Sequence, residues 1–158
     1  MKINPNESVP SPFKFKGEKR PWGYYDMYSH NEPCTSKILF VKNTASLSLQ
    51  YHFKRDQFYM VLDDNFTIEY SSKPVPEKIV NIENDGERIV ALHLFLETNL
   101  VTKIAKDGEM FGFHRFVVHR ATYNGPRDYG RLLDIAFGDN DELDIVRIKD
   151  NYGRVKNQ

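Results

Sequence analysis

Apolar and polar residues alternate along much of this chain, most sharply over residues 46–53. There Leu47, Leu49, Tyr51 and Phe53 fall on one side of an extended strand, and Ser48, Gln50 and His52 on the other. Such a strand has one face for packing and one for polar chemistry. After Lys54, Arg55 and Asp56, the apolar run 58–62 begins a second strand, with Gln57 at its entrance facing back toward His52. Further short runs rich in β-branched and aromatic residues, broken by turn formers, cover 22–30, 37–43, 66–70, 113–123 and 131–137. Residues 77–84 and 88–97 also read as strands, joined through the hairpin signal Asp85-Gly86. Pro74 and Pro76 place 71–76 in a loop. Only 141–152 predicts a short C-terminal helix, with Asn140 or Asp141 as its cap and acidic residues in its first turn. The spacing predicts an all-β sandwich or barrel. Residues 1–19 carry three prolines and no apolar period, which predicts an extended arm ahead of a domain over 20–158.

Composition narrows the class. The chain has 158 residues, 40% hydrophobic and 13% aromatic, enough for one real core. Lys plus Arg and Asp plus Glu both total 22, so no bulk field recruits nucleic acid or an anionic membrane. Cys34 is the sole cysteine, which excludes an intramolecular disulfide and suits a reducing compartment. The first residues lack the apolar stretch of a secretory signal, and no run is long enough to span a bilayer, so a cytoplasmic location is expected.

Four segments, in order, carry a resemblance: Arg20-Pro21-Trp22-Gly23; Ser48-Leu49-Gln50-Tyr51-His52 with Arg55; His119-Arg120; and Asp144-Ile145-Val146-Arg147-Ile148-Lys149-Asp150-Asn151-Tyr152-Gly153-Arg154. Over residues 18–62 and 113–154 the chain resembles the small cupin domain of type II phosphomannose isomerases, which is also fused behind mannose-1-phosphate guanylyltransferases. The resemblance implies a cupin-type jelly-roll β-barrel, with residues 72–108 as an inserted hairpin. It also implies aldose–ketose isomerisation of a sugar phosphate, mannose 6-phosphate in the family, through an enediol. That chemistry needs a group that polarises the carbonyl, a base, and a cationic anchor for phosphate.

In the family the polariser is a divalent metal, typically zinc, held by Gln, His, Glu and a second His. Here those positions hold Gln50, His52, Gln57 and His119. Gln57 replaces the carboxylate with a neutral amide, so the set carries no ligand charge and a lower metal affinity is expected. The family's histidine run survives only as His52, its glycine after the second strand is replaced around Asp63-Asp64, and its Pro-Ala-Gly lead-in reads His114-Arg115-Phe116-Val117-Val118. Lys54, Arg55 and Arg120 are the candidate phosphate cations, although neighbours on a regular strand point oppositely, so His119 and Arg120 cannot both face one pocket. Asp134 and Glu69 both stand on strands as possible bases, and the sequence does not choose between them. Exposed barrel strands and the arm predict a homodimer.

Two other readings fit the same residues. One is a metal-independent nucleotide-sugar epimerase or ketoisomerase, in which His52 or His119 works with Tyr59 or Tyr123. The other is a non-catalytic sugar-binding cupin with a degenerate metal site, in which Gln57 is a hydrogen-bonded structural amide. His93 reads as a packed or edge histidine, His30 and His114 as surface residues, and Trp22 as core.

Overall fold

Alternating side chains on successive strands fold the chain into two antiparallel sheets facing each other across a shared core. The structure is a computed structural model that describes residues 16–31 and 33–154. Its elements are β1 (Lys16–Arg20), β2 (Gly23–Ser29), β3 (Thr35–Lys42), β4 (Leu49–His52), β5 (Arg55–Val61), β6 (Phe66–Ser71), α1 (Glu77–Val80), α2 (Asp85–Asn99), β7 (Leu100–Ala105), β8 (Met110–Phe113), β9 (His119–Tyr123), β10 (Tyr129–Gly138) and β11 (Ile145–Lys149). One sheet runs β1-β2-β3-β10-β5-β8 and the other β11-β4-β9-β6-β7. This is the all-β, cupin-type jelly-roll arrangement. Most of the expected arm, residues 1–15, lies outside the described residues; its end is β1, an edge strand paired with β2. Among the described residues no helix is long and apolar enough to cross a membrane.

The interior has an apolar half and a polar half. Leu39, Val41, Val61, Phe66, Ile68, Ala121, Tyr123 and Leu132 are buried together from both sheets. Further along the same strands the inward positions turn polar, and that end carries the candidate site. A second core lies outside the smaller sheet, where Leu49 and Tyr51 of β4 pack with Val75, Leu92, Leu96, Val118 and Ile148. β4 is therefore buried on both faces, and its packing face meets the insertion rather than the barrel interior.

That insertion corrects two expectations. Residues 88–97 are not a strand, and 85–86 is not a hairpin turn. Asn84 caps α2 by accepting from the Glu87 amide, Asp85 and Glu87 occupy its first turn, and Leu92 and Leu96 lie one turn apart on its buried side. Each buried leucine contributes about 1.5–3 kcal/mol, which outweighs the modest strand preference of Ile89 and Val90. Residues 77–84, also expected as a strand, hold the short helix α1. Only β7 of the predicted hairpin is strand, paired with β6.

The predicted C-terminal helix is likewise replaced. Asp141 caps only a 3-10 turn, Glu142–Asp144, after which β11 pairs with β4. Ile145, Val146 and Ile148 suit a strand, and the exposed backbone of β4 gives them a partner that a short helix would lack. The other end motif is also structural. Gly23 takes φ 149°, and a Cβ there would sit 1.8 Å from the Phe40 carbonyl oxygen, so only glycine fits the turn after buried Trp22. Arg20 and Arg147 both pair with Glu142, at 2.8 and 2.9 Å, tying the opening Arg-Pro-Trp-Gly motif to the closing one.

Candidate functional site

Three strands place the four expected ligands at one point. β4 turns Gln50 and His52 inward, β5 turns Arg55, Gln57 and Tyr59 inward, and β9 turns His119 inward; Gln50 lies opposite His119 in the ladder. Gln57 Oε1 stands 2.8 Å from His52 Nε2 and 3.0 Å from His119 Nε2. Gln50 Nε2 is 3.4 Å from His52 Nε2, and Gln50 Oε1 accepts from Ser48 Oγ at 2.5 Å. All four ligand candidates are buried.

The proton positions follow from the partners. His119 Nδ1 is 3.0 Å from the Val117 carbonyl, which can only accept, so Nδ1 carries the hydrogen and Nε2 presents a lone pair. His52 Nε2 lies 2.8 Å from Gln57 Oε1, which can only accept, and 3.4 Å from the donors Arg55 Nη2 and Gln50 Nε2, so the shorter contact puts its hydrogen on Nε2, donated to Gln57. Burial drives the His119 pKa down to about 4, and burial together with His119 and Arg55 drives that of His52 well below its usual value. Both imidazoles are therefore neutral at pH 7. His119 is further fixed by stacking on Phe113, with centroids 4.5 Å apart, and by the edge contact of Tyr59 at 5.6 Å.

Two carboxylates stand behind this cluster. Asp134, inward on β10, accepts from Gln57 Nε2 at 2.6 Å; burial raises its pKa while Lys37, Gln57 and Arg55 oppose the rise. Asp144, from the end motif, accepts the Phe53 and Lys54 amides at 3.0 and 2.9 Å and so clips the turn between β4 and β5. Its other oxygen and His52 Nδ1 are both buried without a hydrogen bond, 3.9 Å apart, which aims the carboxylate at the back of the ring. Period-2 alternation on β10 had already offered Asp134 as an inward residue. The sequence does not bring Lys37 or Asp144 to the site, because their positions depend on which strands become neighbours.

The expected cations separate. Arg55 is buried next to His52, with Nη1 donating to the Asp141 carbonyl at 3.2 Å. Lys54 lies at the exposed rim, 3.8 Å from Asp139. Arg120 does not join the site: it points to the opposite face of β9 and pairs with Glu69 at 2.6 and 2.8 Å. This corrects both Arg120 as a phosphate ligand and Glu69 as a base. Of the two tyrosines weighed beside the histidines, Tyr59 contacts His119, whereas Tyr123 packs against Phe66 in the apolar half. His93 is exposed on α2 and bonded to the Ile89 carbonyl, and His114 is also exposed.

The donor set fits a divalent cation in one specific respect. The His119 Nε2 lone pair and the Gln57 amide oxygen, neither able to donate to the other, face each other across 3.0 Å, and His52 Nε2 joins them once its hydrogen moves to Nδ1, on the side of Asp144; a cation between the three would satisfy them all. Gln50 can contribute its own oxygen if its amide turns over, since the Ser48 hydroxyl can either donate or accept. The set is neutral, and among the described residues no group of three or more His, Cys, Asp or Glu side chains forms a ligand cluster.

Comparison with known proteins agrees with the fold. A family model described as Mannose-6-phosphate isomerase C-terminal matches residues 14–134, a stretch that includes every ligand candidate and Asp134 but stops before the Asp144 motif. A search of curated proteins returns no match. The capsular polysaccharide assembling protein CapF from Staphylococcus aureus superposes with a TM-score of 0.62 at 8% identity, over 88% of this chain and 34% of its own. The chain thus spans about a third of CapF. An RmlC-like cupin from Shewanella frigidimarina NCIMB 400 superposes with a TM-score of 0.57 at 14% identity, over 87% of this chain and 96% of its own. The structure of FeII HppE gives 0.54 at 11% identity, over 86% and 63%. At these identities the likeness is one of fold.

Proposed function

Since the chain belongs to the Mannose-6-phosphate isomerase C-terminal family, we propose that it interconverts an aldose phosphate of the mannose 6-phosphate class and its ketose. A divalent cation, zinc by donor chemistry, would be held by His52, His119 and the amide oxygens of Gln57 and Gln50. The observation that carries this reading is the meeting of the two Nε2 atoms at Gln57 Oε1, at 2.8 and 3.0 Å. When bound, such a cation polarises the substrate carbonyl and makes the neighbouring C–H more acidic. The chain's own residues orient the ligands and anchor the phosphate. Val117 and Asp144 orient the imidazoles from behind, Arg55 keeps a fixed positive charge beside the cluster for the substrate's phosphate, and Lys54 adds a second cation at the rim. A cytoplasmic homodimer is part of the same reading.

The test is to measure metal content and conversion of mannose 6-phosphate to fructose 6-phosphate on the same purified protein. Turnover that tracks bound zinc and disappears with a chelator supports the proposal. Folded protein that neither binds a divalent metal nor turns over the sugar phosphate refutes it. The absence of any acidic ligand favours a second reading, a sugar-binding cupin without turnover; calorimetric binding of mannose 6-phosphate without conversion would select it.

A further inference from the structure

We propose that Asp134 acts through Gln57 as a positioning residue for the cation, turning the Gln57 amide oxygen toward the histidines and supplying at one remove the negative charge that the ligand set lacks. The inference rests on the metal reading above and concerns a residue outside the ligand set.

Its basis is the directionality of one short hydrogen bond. Asp134 and Gln57 stand on neighbouring strands of the larger sheet, both buried, with Gln57 Nε2 2.6 Å from Asp134 Oδ1. A carboxylate accepts and an amide NH2 donates, so this contact sends the Gln57 nitrogen toward Asp134 and leaves Oε1 pointing at His52 and His119. Without Asp134, the lone pair of His119 Nε2 would by itself draw the amide nitrogen rather than the oxygen. A donor hydrogen-bonded to a carboxylate is also polarised, which raises electron density on the amide oxygen. A doubly charged ion among four neutral ligands otherwise has no counter-charge in contact. Asp134 brings one to within a single amide group.

The experiment uses the full chain and zinc alone. Zinc affinity is measured by competition with a chromophoric chelator, with the visible absorption of bound Co(II) as a second readout of ligand geometry. Asp134→Asn is expected to weaken zinc about 10–100-fold, the range for loss of a residue that orients a ligand, and to alter the Co(II) spectrum. Circular dichroism in chelator should show the fold retained. Gln57→Glu alone sets two carboxylates side by side, whereas Gln57→Glu combined with Asp134→Asn moves the charge onto the ligand and gives it a donor behind. The double variant should therefore bind zinc more tightly than Gln57→Glu alone, so that Asp134→Asn weakens zinc in the wild-type background and strengthens it in the Gln57→Glu background; a merely structural role for Asp134 would weaken it in both. Equal zinc binding by wild type and Asp134→Asn, or a double variant that binds zinc more weakly than Gln57→Glu, overturns this inference alone. Folded wild-type protein that binds neither zinc nor Co(II) overturns both it and the metal reading beneath it.

Discussion

His119 sets a measurable pH dependence of folding. The perturbation is acidification of metal-free protein. In the folded state burial of the ring, helped by the positive field of Arg55 and opposed by its Nδ1–H bond to the Val117 carbonyl, lowers its pKa from 6.5 to about 4. In the unfolded chain it returns to about 6.5. Above pH 6.5 neither state binds the proton, and His119 adds no slope. Between 6.5 and about 4 the unfolded state holds one more proton, so stability falls as pH falls, by about 1.4 kcal/mol per pH unit and about 3 kcal/mol in all. His52 is lowered by burial, His119 and Arg55, and adds a loss of the same sign. Asp134, raised by burial, acts in the opposite sense, because its folded state takes up a proton first as pH falls. The assay is urea unfolding in chelator from about pH 7.5 to about pH 4.5, for wild type and His119→Gln. The variant is expected to be less stable at neutral pH but flatter across this range by about 1 kcal/mol per unit. Parallel curves would show that His119 is not a buried neutral imidazole, and the tautomer assignment would fall with it.

Two further outcomes test how the scaffold serves the site. Leu92→Ala empties a fully buried position between α2 and the outer face of β4 and is expected to cost about 2–5 kcal/mol by urea unfolding; a loss below about 1 kcal/mol would mean that α2 does not pack there. Arg55→Ala should weaken calorimetrically measured sugar-phosphate binding by about 1.5–3 kcal/mol, whereas Arg120→Ala, which breaks only the outward pair with Glu69, should leave it nearly unchanged. The reverse order would contradict the assignment of faces on β9.

The legible part of this protein was local. Alternation over 46–53 identified the polar face of β4, and the sequence resemblance named the four residues that meet there. The same rule warned that His119 and Arg120 diverge, as they do. Residues 85–99 were misread because Asp-Gly and a run containing Ile89 and Val90 suit a hairpin as well as a helix. The deciding features are the Asn84 cap and the burial of Leu92 with Leu96. Residues 141–152 have the acidic start of a helix, but the ladder with β4, which pairs Ile145 with His52 and Arg147 with Gln50, prevailed.

From the sequence by itself came the side of each strand on which a residue lies, since side-chain direction is a property of the backbone's own period. The tertiary structure alone decided which inward residues become neighbours. Asp134 reaches Gln57 only because β10 pairs with β5, and Asp144 reaches the back of His52 only because β11 pairs with β4 and its preceding turn meets Phe53 and Lys54. Contacts between residues 77 and 91 positions apart along the chain are fixed by the packing of whole sheets, which no local pattern encodes.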